Sequence, residues 1–156
     1  MIKLAIVVGH TERQPGASGV SPIDSSEYAW NSDLAAMIVD HVAQVDDAEA
    51  KVFFRDSGGI VAAYNDAKAW GADAAMELHF NAAGPSATGS ETLYVTSVSR
   101  PLAEAVQDAT VSVLGLRDRG VKTPQEASGG RGARNLSQMG AKCLTSAPLG
   151  HPEVFS

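Results

Sequence analysis

Cysteine is almost missing from this chain of 156 residues, where Cys143 stands alone. One thiol closes no disulfide within the molecule and lacks the paired spacing of a thiolate metal site, so the chain suits synthesis in a reducing compartment. Long apolar runs are missing too. The run from Ile2 to Val8 is too short for the hydrophobic stretch of a signal peptide and is followed by no small-residue cleavage site. No segment approaches the roughly 20 apolar residues of a membrane span. The expectation is a protein made in the cytoplasm without a signal peptide and without membrane insertion. Positive charge is scarce, with 12 Lys and Arg against 18 Asp and Glu and a formal net charge of −6. Such a surface repels phosphate backbones and anionic lipid, so nucleic acid is not an expected partner. The densest basic stretch, Arg117 to Arg134, is interleaved with Gly and Ser in the manner of a solvated loop. No Gly-x-Ser-x-Gly elbow follows a strand, and no Lys-Ser/Thr pair follows the cluster Gly129-Gly130-Arg131-Gly132. Serine-hydrolase and phosphate-loop chemistry are thereby excluded.

What is present is a regular alternation of patterns. With 44% hydrophobic residues, the length fits one domain, residues 1–156, expected as a monomer. The apolar runs predict strands at 2–8, 51–55, 74–80 and 91–96, and helices at about 26–45, 59–70 and 100–114, before a loop-rich region and a short apolar end. Strands separated by helices argue for a single α/β domain of phosphorylase/hydrolase-like kind, a mostly parallel or mixed central sheet with helices on both faces.

Three polar residues fall at the edges of these elements. Val8-Gly9-His10 closes the first strand and opens into a polar loop, Thr11 to Pro22, which puts an imidazole at the exit edge of the sheet. In Ala74-Ala75-Met76-Glu77-Leu78-His79-Phe80 the period of two sets Met76, Leu78 and Phe80 on one face and Glu77 and His79 on the other, with His79 at the strand end. Leu34, Ile38, Val42 and Val45 mark one stripe of the first helix, and extending it backward reaches Asn31 and Glu27. A carboxylate facing the sheet must be paired, capped or bound to a metal. Asp24-Ser25-Ser26-Glu27 also reads as a capping box, with Glu27 reaching back to the cap backbone, and a strand-end His also serves as a plain hydrogen-bonding residue. Both readings stand open at this point. Strand ends and the starts of the following helices face the same edge, so His10, Glu27 and His79 can converge as a His/Glu/His zinc site, the nitrogen and carboxylate set of hydrolytic zinc with a position left for water.

The order Val8-Gly9-His10 with Pro15-Gly16-Ala17, Glu27 heading a helix, Leu78-His79-Phe80-Asn81-Ala82, Gly89-Ser90-Glu91-Thr92-Leu93-Tyr94 and Arg119-Gly120-Val121-Lys122 resembles the zinc-dependent N-acetylmuramoyl-L-alanine amidases, and phage endolysins among them. The resemblance spans nearly the whole chain. It implies that His10, Glu27 and His79 are zinc ligands, that Glu91 is structural, and that Asn81 shapes the loop after the ligand. It places a catalytic glutamate at the end of a last strand beginning near an Ala-Pro pair; Ala147-Pro148-Leu149-Gly150-His151-Pro152-Glu153 puts Glu153 at that offset, with Gly150, His151 and Pro152 standing where strand formers are expected. Glu77 is a further departure, since relatives usually carry a small polar residue there; it either orients His79 or is solvated.

The implied function is hydrolysis of the amide between N-acetylmuramic acid and L-alanine in peptidoglycan, as a phage or prophage lysin that reaches the wall after release from the cytoplasm. The competing expectations are a zinc peptidase or carboxypeptidase on cell-wall peptides, with Arg131 or Arg134 receiving a free carboxylate, and a peptidoglycan-binding protein that has lost its base.

Overall fold

The computed structural model describes residues 1–19, 24–80 and 89–128, together with the backbone of residues 143–147. Strand β1 (Ile2–Val8) is apolar on successive residues because both of its faces are covered. Ala5 and Val7 pack with Ala63, Tyr64 and Ala67 of helix α2 (Gly59–Trp70) and with Phe53. Ile6 and Val8 point the other way, into a cluster with Ala35 of helix α1 (Glu27–Val42) and Leu78, flanked by Leu34 and Ile38. The helices therefore lie on opposite faces of one sheet.

Among the described residues its six strands are β1, β2 (Ala48–Phe53), β3 (Ala74–Leu78), β4 (Ser90–Tyr94), β5 (Asp118–Lys122) and β6 (Cys143–Ala147), in the spatial order β2-β1-β3-β6-β4-β5. All neighbours run parallel except β4 and β6, which are antiparallel. This is the expected α/β architecture with a mixed sheet. Val8 pairs with Leu78, so the C-terminal ends of β1 and β3 lie side by side, and Ser146 of β6 is level with Leu78 on the other flank.

Several boundaries differ from expectation. Helix α1 ends at Val42, and Val45 lies beyond it and is half exposed, so the buried face is carried by Glu27, Asn31 and Ala35. Strand β5 and the short helix α4 (Pro124–Ser128) arise in the region read as loop. Asp118-Arg119-Gly120-Val121-Lys122 has no apolar alternation; it is a strand because it pairs with β4 across a register shift, with Gly120 at φ 81°. The last strand, β6, ends at Ala147, where the sequence pattern placed its beginning. Glu153, Asn81, Arg131 and Arg134 lie outside the described residues.

Helix α3 (Arg100–Leu114) joins β4 to β5 through one buried polar side chain. Gln107 donates from Nε2 to the Ser90 carbonyl at 2.8 Å and to Asp118 Oδ1 at 2.6 Å, and accepts from the Thr92 hydroxyl at 2.9 Å. Gln107→Leu keeps the volume but orphans these groups, and each buried group left unpaired costs about 1–3 kcal/mol. A loss of at least about 2 kcal/mol in urea unfolding is expected; a wild-type midpoint would show that water replaces the bonds.

Candidate metal centre

The site grows from the paired ends of β1 and β3. After Val8 the chain turns at Gly9, whose N–H donates to the Leu78 carbonyl at 3.1 Å. His10 follows with φ 68°, a left-handed conformation that costs a non-glycine residue about 1–2 kcal/mol. Two bonds between the backbones of Thr11 and Gln14, at 3.2 and 3.1 Å, close the next turn and support that geometry. Strain of this kind is kept where a side chain must be aimed. Here it directs the His10 ring back over the sheet edge, where it meets the His79 ring edge to face, centroids 5.1 Å apart.

Glu27 is the first residue of α1, and the capping reading does not hold for it. Ser26 is the N-cap, its hydroxyl accepting from the Ala29 N–H at 3.2 Å. Glu27 turns inward instead and is 3% exposed. Its Oε1 lies 3.1 Å from His10 Nε2 and 2.9 Å from His79 Nδ1, and accepts the Phe80 N–H at 2.7 Å. Oε2 accepts the Ala17 N–H at 3.1 Å. One helical turn on, buried Asn31 donates to the Leu78 carbonyl at 3.2 Å and fastens α1 to the end of β3.

Burial alone pushes the Glu27 carboxyl up, but hydrogen bonds from His10, His79 and the Ala17 amide outweigh it and hold the group at about 2. For His79, burial pushes the pKa down and is outweighed by hydrogen bonds to Glu27 and Glu77, which raise it to about 9. Carboxylate oxygens thus flank both nitrogens of this ring.

The sequence brought His10, Glu27 and His79 together by argument, and the structure places one donor atom of each within 4.8 Å of the others. Two imidazole nitrogens and a carboxylate oxygen are a zinc donor set, and a tetrahedral zinc with ligands at about 2.0–2.1 Å separates its donors by about 3.3 Å. The observed 2.9 and 3.1 Å spacings need only a small opening of the site. Because His10 is 35% and His79 23% exposed in their side chains, one side of the cluster faces solvent and leaves a position for water.

Two features of the site go beyond the sequence reading. Gly9 and Gly16 form a cradle: a Cβ on Gly16, at φ 79°, would lie 2.6 Å from Glu27 Oε2, and one on Gly9 would lie 2.4 Å from the Leu78 carbonyl oxygen and 2.5 Å from His79 Cε1. The other is Arg55, just beyond β2, whose Nη1 pairs with Glu77 at 2.9 Å. A charged residue on a central strand was the available signal, since a buried carboxylate requires a cation. Glu77 is 1% exposed, which rules out its solvated reading. Glu91, buried on β4, takes Lys122 Nζ at 2.7 Å and Arg119 Nη2 at 3.2 Å and so ties β4 to β5.

Comparison with known proteins agrees with this architecture. The catalytic domain of CwlV, an N-acetylmuramoyl-L-alanine amidase from Bacillus (Paenibacillus) polymyxa var. colistinus, superposes with a TM-score of 0.80 at 20% identity, over 99% of this chain and 83% of that one. An N-acetylmuramoyl-L-alanine amidase from Clostridium difficile 630 gives 0.81 at 23% identity, over 98% and 81%. The catalytic domain of the CD27L endolysin, which targets Clostridia difficile, gives 0.75 at 22% identity, over 94% and 80%. None of the curated proteins matches the sequence. The family model Amidase_3, N-acetylmuramoyl-L-alanine amidase, matches residues 4–143, and the chain belongs to that family.

Proposed function

We propose that the protein is a zinc-dependent amidase that cuts the bond between N-acetylmuramic acid and L-alanine in peptidoglycan, with residues 1–156 acting as one catalytic domain. The observation that carries this reading is the convergence of His10, Glu27 and His79 on one oxygen-centred cluster at the open edge of the sheet. His10 and His79 would hold the ion through Nε2 and Nδ1, and Glu27 through Oε1, with the Ala17 and Phe80 amides keeping the carboxylate aimed. Zinc bound there supplies a Lewis acid for the amide carbonyl and brings the pKa of water toward neutrality.

Net reaction adds water across the amide: the lactyl group keeps the oxygen as a carboxylate, the C–N bond breaks, and L-alanine leaves with a free amine. Glu153 is assigned the proton traffic, taking a proton from the water and giving it to the leaving nitrogen. In support of this assignment, β6 runs parallel to β3 and ends at Ala147, level with the strand end beside His79, six positions before Glu153 in the sequence. Likeness to an endolysin catalytic domain supports a lysin role, and such an enzyme would be made in the cytoplasm and meet the wall after release.

The test is mass spectrometry of purified peptidoglycan after incubation with the protein, with and without a chelator. Free stem peptides bearing a new N-terminal alanine, lost on chelation and restored by zinc, are expected. Cleavage inside the stem peptides would identify a peptidase instead. Binding without release would identify a wall-binding protein.

A further inference from the structure

The ligand set leaves Glu77 unexplained. Its carboxylate lies in the middle of the sheet, where an ionised group is costly unless fully partnered. It has three partners of different kinds. Arg55 Nη1 at 2.9 Å brings the countercharge, and Tyr64 Oη, from α2, donates to Oε2 at 3.2 Å. His79 Nε2 lies 3.0 Å from Oε1. Arg55 and Tyr64 would be enough for a carboxylate that only held the sheet together. The third contact joins it to a ring whose other nitrogen, Nδ1, lies 2.9 Å from Glu27 Oε1 among the donor atoms of the cluster.

We propose that Glu77 is the positioning residue of this centre: by accepting the Nε2–H of His79 it fixes the tautomer and the tilt of the ring, so that Nδ1 presents its lone pair beside His10 Nε2 and Glu27 Oε1. The inference rests on the zinc reading above. Carboxylate oxygens face both ring nitrogens; with an ion held between Glu27 and His10, Nδ1 would give up its proton to become the ligand atom, and Glu77 keeps the one remaining ring proton on Nε2. The geometry follows from the strand. Residues two apart on β3 share a face, so a side chain as long as glutamate at position 77 reaches the far nitrogen of the ring at position 79. Arg55 and Tyr64 hold the carboxylate from its other sides and keep Oε1 turned to the ring. Glu77 is not a base for the reaction, because it is buried and sits on the Nε2 side of the imidazole, away from the Nδ1, Glu27 and His10 atoms.

The test uses the full chain loaded with zinc or with cobalt. Glu77→Gln keeps the shape and removes the charge, and chelator competition is expected to show zinc affinity reduced by about 10–100-fold, with altered visible cobalt bands, in a variant whose circular dichroism is that of the wild type. A folded variant with wild-type affinity and cobalt spectrum would overturn the proposal. A second measurement needs no variant. Two-bond nitrogen–proton couplings of His79 in the zinc-loaded wild type are expected to report a proton on Nε2 and metal on Nδ1, and the opposite tautomer overturns the proposal. Failure of the wild type to bind zinc would overturn the metal reading and this one together, whereas a zinc-binding wild type with an indifferent variant overturns this one alone.

Discussion

Glu27→Ala is expected to bring the zinc content of the purified protein to background and to destabilise the fold even without metal. The two losses have separate causes. On the zinc reading, the ion would lose the one carboxylate among its three ligands and keep two neutral imidazoles, which do not offset its charge. The fold loses the acceptor of the Ala17 and Phe80 amides and the group that the His10 and His79 rings both approach. The Phe80 amide is buried and the Ala17 amide partly so, and a buried donor left unpaired costs about 1–3 kcal/mol, so a loss of about 2 kcal/mol is expected in urea unfolding with chelator present, where metal binding no longer contributes. Metal analysis after gel filtration checks the first loss. One zinc per chain in the variant would show that His10 and His79 bind with another partner and would remove Glu27 from the set.

A single methyl group is expected to cost zinc affinity at both Gly9 and Gly16, by different routes. At Gly9 the added carbon would meet the Leu78 carbonyl oxygen at 2.4 Å, and backbone on a central strand has nowhere to go. Gly9→Ala should therefore part the ends of β1 and β3, break the Gly9 to Leu78 hydrogen bond and separate His10 from His79. At Gly16 the carbon would meet Glu27 Oε2 at 2.6 Å and His10 Cδ2 at 2.7 Å, and φ 79° adds about 1–2 kcal/mol of strain for any L side chain. Here the ligands are pushed while the sheet is untouched. Gly16→Ala is thus expected to lose most zinc affinity with a small change in thermal midpoint, and Gly9→Ala to lose both. Titration with a zinc-competing dye alongside thermal unfolding separates the two patterns; unchanged zinc affinity in Gly16→Ala would show that the loop yields without disturbing the ligands.

The sequence made the His10, Glu27 and His79 cluster legible because each residue sits where a periodic pattern stops. His10 and His79 end apolar strands, and Glu27 extends a helical stripe. Two open questions needed coordinates. Whether Glu27 capped its helix or faced inward depended on the cap falling at Ser26, one residue before it, which residue types in a Ser-Ser-Glu run leave undecided. Whether Glu77 was solvated depended on Arg55 crossing from beyond β2 to the face of β3, a contact between residues 22 positions apart. Strand β5 was hidden for another reason: its composition disfavours a strand, and pairing with β4 together with the Glu91 ion pairs overrides that preference. Gly9 and Gly16 stand in the motifs Val8-Gly9-His10 and Pro15-Gly16-Ala17, but their role is not legible there, since what they provide is missing volume beside side chains and backbone that only the fold brings near.

The strand order carries a consequence for how the molecule comes into being. Among the described residues β6 is the one strand that joins two half-sheets, β2-β1-β3 on one flank and β4-β5 on the other. Chains are made from the N-terminus, so the ribosome delivers both halves, and all three residues of the ligand cluster, before the segment 143–147 that unites them. If the two halves fold before β6 is inserted, β3 and β4 each present a bare row of amides and carbonyls, the kind of edge that recruits strands from other molecules. The nascent chain holds its chemistry early and its protection against aggregation late, which makes the interval before β6 is inserted the hazardous moment of its synthesis.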